Sequence, residues 1–222
     1  MIPIETDGDG QSRRGRILAE AVQLFLEHGF SATSMSLVAD ASGIQKASLY
    51  HHFSSKEALF VACATDGFDE ALAELEGLRH DQSLSDDERF VRAVDAVYRI
   101  NLDSACGRMA PLIAEVSRTI PAVARAFHDD FIQKQHVSIN AIVDDGIARG
   151  SFVAHERLGF EHMIFGPIVS LALEREMFTT FDDVDAVLPV DRIRTEHSTL
   201  LLRLLHGGRA PAVALAMPNG DG

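Results

Sequence analysis

Strand signals are nearly absent from this sequence, and so are the marks of several broad protein classes. Only two cysteines occur, Cys63 and Cys106, far apart and without metal-ligand spacing. That suits a reducing compartment and argues against a disulfide framework. No apolar run approaches the ~20 residues needed to cross a bilayer. The opening MIPIETDGDG is acidic and lacks the basic and apolar regions of a signal peptide. A cytoplasmic location with no membrane partner is therefore expected. Catalytic signatures are missing too. No Glu has a His three residues later, and His155-Glu156 runs on into Arg157, Leu158 and Gly159 instead of reaching a second His. There is no phosphate-cradling glycine loop and no Gly-x-Ser-x-Gly. Neither an enzyme, a metal site nor a cofactor is expected.

Positive charge is scarce as well, with a formal net of −13 over 222 residues. Its distribution matters more than its sum. Residues 1–10 carry −3 and residues 61–222 carry −11, whereas residues 11–60 come to +1, with three histidines in reserve. Only that opening segment is not repelled by a polyanion. The acidic remainder favours solubility and discourages unspecific adhesion to nucleic acid.

What the sequence does contain is helical periodicity and caps. Ile17, Leu18, Ala21, Val22, Phe25 and His28 line one face of a helix from near Ser12 to Gly29. Ser34 caps a short helix through Ala41, Gly43 supplies a turn with positive φ, and a third helix covers roughly Gln45 to His52. Ser54 or Ser55 opens a fourth, with Glu57 completing a possible capping box after Ser54. This helix is expected to run into the seventies through Leu59, Phe60, Phe68, Leu72 and Leu75. Ser85 and Glu88 form a second box. Further helices are expected over Met109 to Val116 with Pro111 in the first turn, from Pro121 to Ala148, near His155 to Phe178, and over Asp191 to His206. The division that follows is a disordered arm at 1–11, a helix-turn-helix domain at 12–55, a larger helical body at 56–206 and a disordered tail at 207–222. The fold class is all-α: an N-terminal three-helix bundle with a helix-turn-helix, joined by a long helix to the larger domain.

Two late helices carry unusually wide apolar surfaces. The run from Phe160 to Leu173 is apolar around most of its circumference, and the last helix combines Ile193, Leu200, Leu201 and Leu204. A helix of that kind must be covered on more than one side. Both are therefore expected to pack against a second copy in an isologous dimer, through Phe160, Ile164, Ile168, Leu171, Ile193, His197, Leu200, Leu201 and Leu204. Centrally placed helices of a monomer are the competing reading.

Residues Ser34 to Phe53 fit a helix-turn-helix. Ala39 is small where two steeply crossed helices touch, and Ile44 and Leu49 anchor the second helix on Phe25, Phe30 and Phe53. Its other face offers Gln45, Lys46, Ser48, Tyr50, His51 and His52, which suits a duplex major groove. Gln45 and Lys46 are placed to read base edges, and Ser48 permits close approach. Tyr50, His51, His52 and Lys56 are expected on phosphates. Thr33 and Ser34 would bind a further phosphate at a helix start, while Arg13, Arg14 and Arg16 would form an arm along the backbone or minor groove.

The whole block closely resembles the N-terminal domain of TetR-family transcriptional regulators. The family pattern Gly-aromatic-x-x-Thr-Ser is met at Gly29, Phe30, Thr33 and Ser34. The pattern Leu-Tyr-x-His-Phe-x-x-Lys-x-x-Leu is met at Leu49, Tyr50, His52, Phe53, Lys56 and Leu59. The resemblance is strong over about a quarter of the chain and architectural beyond it. It implies phosphate contacts at Tyr50, His52 and Lys56, with the tip of the recognition helix at Gln45 to Ser48. Gln45 departs from the serine usual there, so the ordinary cap of that helix is missing. The resemblance further implies a homodimer on a double-stranded, pseudo-palindromic DNA operator, usually repressing. A small effector in the C-terminal domain would lower DNA affinity by favouring a state with differently spaced heads.

An effector site is expected among Tyr98, Asn101, Met109, Ile113, Phe127, Phe131, Met163 and Phe165, and it would suit an unidentified apolar or amphipathic ligand. Pro167 removes a backbone hydrogen bond inside an apolar helix, leaving either a gap or a kink that serves the dimer. The alternative to a DNA-binding regulator is a helical dimeric protein-interaction or metal-binding module without DNA binding.

Overall fold

The computed structural model describes residues 13–65 and 68–209. The expected arm at 1–11 and almost all of the tail at 207–222 lie outside them. Helices are α1 (Arg13–Ala32), α2 (Met35–Ala41), α3 (Lys46–His52), α4 (Lys56–Thr65), α5 (Phe68–His80) and α6 (Asp86–Leu102). They continue as α7 (Ala105–Ser117), α8 (Pro121–Phe127), a π-helical turn (His128–Ile132), α9 (Gln133–Ala148), α10 (Arg157–Met177), α11 (Val184–Val187) and α12 (Val190–Leu205). Among the described residues there is no strand, and no helix is long and apolar enough to cross a membrane.

The chain divides into two compact units. One comprises Met1–Gly67 with Arg108–Phe131, the other Phe68–Gly107 with Ile132–Gly222.

In the first unit α1 buries Ile17, Leu18, Ala21, Val22 and Phe25, the face set by its 3.6-residue period. α1 packs on α4, and α4 on α8. The Phe60 ring stands edge-on to Phe25 at 4.9 Å and to Phe30 at 5.1 Å. Gly29 ends the regular part of α1 with φ 76 and ψ 171, a backbone region open essentially to glycine alone. Ser55, not Ser54, caps α4, its Oγ accepting from Ala58 N at 3.1 Å. The same hydroxyl serves Glu57, whose carboxyl is held below its usual range first by its own amide and then by Ser55.

The second unit is built around α6, which touches α5, α9, α10 and α12 and buries Phe90, Ala93, Val94, Val97 and Tyr98. The Ser85–Glu88 capping box forms as expected. Arg89, though buried, is satisfied by the carbonyls of Leu78, Asp81 and Leu84 and by Asp86 Oδ1 at 2.6 Å. Asp86 also takes Arg149 Nε at 3.0 Å, which fastens the end of α9 to the start of α6. Gly146 is required where it stands, because a Cβ there would collide with the Phe152 ring.

The expected helix from Ser55 into the seventies is described as α4 and α5, and Asp66 and Gly67 between them lie outside the described residues. Two expectations are corrected. Helix α7 begins at Ala105, so Pro111 lies in its interior instead of its first turn. The helix from Pro121 to Ala148 is interrupted by the π-helical turn.

Candidate nucleic-acid interface

α2, the turn and α3 form a helix-turn-helix closed by backbone hydrogen bonds. Ser42 N donates to Val38 O at 2.9 Å, Gly43 N to Asp40 O at 3.1 Å and Ile44 N to Ala39 O at 3.0 Å. Gly43 adopts φ +66 with open space where a Cβ would be, so backbone conformation alone selects glycine. Ala39 is buried where the helices cross, and Leu49 anchors α3 as its only buried side chain. Gln45 occupies the N-cap of α3 without a side-chain cap bond. Gln45, Lys46, Tyr50, His51 and His52 are exposed and Ser48 is half-buried. One short helix thus presents an amide, an ammonium, a phenol and two imidazoles on a surface pinned from behind by one leucine.

Beside the turn lies a cavity of about 410 Å³, lined among others by Arg13, Arg16 and Glu20 of α1 and by Ser42, Gly43 and Ile44. Arg13 is exposed, and the Arg14 guanidinium lies 4.7 Å above the Phe53 ring. Ser34 remains exposed, and its Oγ accepts from Leu37 N at 3.1 Å as the cap of α2.

Two residues expected on phosphates have other work. Thr33 is 1% exposed, and its hydroxyl faces Gly29 O at 2.8 Å and Leu24 O at 3.0 Å. That hydroxyl closes the end of α1 across the Gly29 break. Lys56 Nζ donates to Phe30 O at 2.8 Å and lies 4.2 Å from the centre of the Phe30 ring. A cation is disfavoured at a helix N-terminus and welcome at carbonyls that end another helix. Lys56 opens α4 and serves the end of α1, and that mismatch with its own helix was the signal available in the sequence.

The expected effector residues divide between the units. In the first, Met109, Ile113 and Phe131 are buried, and Phe127 packs at 4.8 Å on Phe131. In the second, Tyr98 is buried and hydrogen-bonded to His197 Nδ1 at 2.8 Å. Asn101 donates to Val97 O and to Gln135 Oε1 at 3.0 Å. Phe165 stacks on His136 at 4.0 Å, while the Met163 side chain faces outward, 49% exposed. Met163 is therefore withdrawn from an interior site.

The two apolar helices resolve into inner and outer stripes. Phe160, Ile164, Ile168 and Leu171 of α10 and Leu201 of α12 are buried within the unit, so these five are core and not an outward face. The outward stripe of α10 is Met163, Gly166, Val169, Leu173 and Met177. On α12 Leu200 and Leu204 are exposed, with Ile193 and His197 half-buried beside them.

Helix α2, the turn and the exposed polar helix α3 define a helix-turn-helix unit. Residues 17–63 match the model described as bacterial regulatory proteins, tetR family. The HTH-type transcriptional repressor KstR2 of Mycobacterium tuberculosis is 50% identical over 50 residues, 22% of this chain and 25% of the relative. The chain thus spans about a quarter of that relative's length. Salmonella enterica GusR is 26% identical with a TM-score of 0.63, covering 88% of this chain and 94% of that one. The transcriptional regulator FadR from Bacillus subtilis, solved with stearoyl-CoA, has a TM-score of 0.67 at 16% identity. It covers 87% of this chain and 98% of FadR, a likeness of fold. Over residues 17–63 the chain is thus similar to bacterial regulatory proteins of the tetR family.

Proposed function

We propose that this chain is a homodimeric transcriptional repressor that binds a pseudo-palindromic operator and is released by a small apolar or amphipathic effector. The observation that carries the reading is α3, a helix held by buried Leu49 and a closed turn, with Gln45, Lys46, Tyr50, His51 and His52 turned to solvent. That surface is built to enter a major groove, with Gln45 and Lys46 at the tip where base edges are met. Tyr50 and the histidines follow as backbone contacts, with Arg13 beside the turn and Arg14 over Phe53 at the other end of α3. Residues 12–55 serve as the reading head, and residues 56–206 carry the effector and dimer functions.

A monomer reads one half-site only. The outward stripes of α10 and α12 supply a self-complementary apolar surface for the second copy, and a two-fold operator asks for two heads about one turn of duplex apart, ~34–36 Å. The effector class follows from the apolar helices of the body, and the architecture accommodates an amphipathic ligand, since FadR from Bacillus subtilis holds stearoyl-CoA.

Selection of bound duplexes from a random pool, repeated with metabolite extracts, tests the reading. A two-fold symmetric motif, bound less tightly as salt rises and released by an apolar extract fraction, is the expected result. Equal indifference to every duplex at low ionic strength overturns it.

A further inference from the structure

Pro167 has no amide hydrogen, so the Met163 carbonyl four residues earlier in α10 loses its intrahelical donor. On α12, His197 brings Nε2 to 2.8 Å from that oxygen. Its Nδ1 lies 2.8 Å from Tyr98 Oη on α6, with the two rings edge to face at 5.8 Å.

The protonation pattern follows from the partners. A carbonyl only accepts, so Nε2 must carry the ring hydrogen. In the neutral ring Nδ1 is then a lone pair, and the Tyr98 hydroxyl donates to it. Burial favours the same arrangement. It lowers the His197 pKa from its ordinary 6.5 and prevails over the opposing pull of the Met163 hydrogen bond. It pushes the Tyr98 phenol up to about 12, so the hydroxyl keeps its proton, even with Arg194 acting the other way. Arg194 itself is paired with Asp95 at 2.9 Å and Asp191 at 2.7 Å.

We infer that His197 is a positioning residue: as a neutral Nε2–H imidazole it makes the hydrogen bond that Pro167 withholds from Met163, and so ties α10 at that turn to α12 and α6. Met163 and His197 both lie along the outward stripes, so the relay sets how the two apolar surfaces are presented to a second copy. This consequence rests on the dimer reading above; the relay itself does not.

The test has two arms. In the first, ring-nitrogen NMR of the full chain should show His197 with Nε2 protonated and Nδ1 an acceptor. An Nδ1–H ring, or one titrating as a free imidazole, overturns the inference. The second arm is a double-mutant cycle. Pro167→Ala restores the amide donor, so His197→Phe should weaken self-association about tenfold in the native background and about threefold or less beside Pro167→Ala. Equal factors in both backgrounds overturn the inference. His197→Gln offers one donor and one acceptor in the same reach and should restore most of the loss.

Should the native chain prove monomeric at every concentration, the dimer reading falls, and the same cycle read as urea midpoints judges the relay. Non-additive midpoints then support it, and additive midpoints overturn it.

Discussion

The Lys56 ammonium donates to the Phe30 carbonyl at 2.8 Å while lying 4.2 Å from the centre of the same residue's ring. One side chain thereby ends α1 and fastens it to the start of α4. Lys56→Ala removes a charge-assisted hydrogen bond and a cation–π contact, so unfolding free energy should fall by about 1–2 kcal/mol. Urea denaturation checks this. A phosphate ligand would instead leave stability unchanged and lower affinity for every duplex.

Thr33 extends the same argument. Thr33→Val keeps the volume but leaves buried carbonyls at Leu24 and Gly29 without the hydroxyl, for an expected loss of about 1–3 kcal/mol. Thr33→Ser should retain most of the stability. Operator affinity per folded molecule should be unchanged in both variants, as measured by fluorescence anisotropy.

At Gln45 stability and specificity separate. The N-cap of α3 has no side-chain bond, so Gln45→Ser should raise stability by about 0.5–1 kcal/mol through a new cap. If Gln45 reads a base edge, the same change should alter which sequence is preferred in a competitive selection. Tyr50→Phe should lower affinity for all sequences alike. An unaltered preference removes Gln45 from base readout.

Local signals were legible in the sequence. Ser34, Ser85 with Glu88, Gly29 and Gly43 each act within four residues, so cap and turn chemistry could be read without knowing the fold. The exposed face of α3 was legible for the same reason, because Leu49 alone marks its inner side. The side-chain partners of Thr33 and Lys56 on α1 were not legible, because a motif fixes residue type without fixing what the residue touches. Helix α10 is apolar all round, so periodicity could not separate Ile164 inside from Val169 outside. Pro167 announced a freed carbonyl, but His197, the donor that meets it, comes from a different helix and no spacing rule links the two.

The His197 relay makes stability depend on pH with a definite sign. Its folded-state pKa is below the ordinary 6.5, so between those two values the unfolded chain binds more protons than the folded one. Stability is therefore complete above about pH 6.5 and falls as pH drops towards the lower value. Urea midpoints measured from pH 7.5 down to 5 should decline in the native protein. His197→Gln, which cannot titrate, should show a shallower decline over the same window. Identical slopes would mean that His197 is not held neutral in the folded state.

The inner and outer stripes of α10 should respond oppositely to the same chemistry. Ile164 is fully buried whereas Val169 is 53% exposed. Ile164→Ala empties part of the core and should cost about 2–5 kcal/mol of stability. Val169→Asp meets solvent in a single copy and should change that copy's stability by no more than about 0.5 kcal/mol. In a dimer it buries a charge in an apolar seam, twice over by symmetry, so self-association measured by sedimentation should fall at least about a hundredfold. Leu200→Asp on α12 should do the same if both helices share the seam. A Val169→Asp protein that stays dimeric while Leu200→Asp dissociates would confine the interface to α12, and the freed Met163 carbonyl of α10 would then have no bearing on assembly.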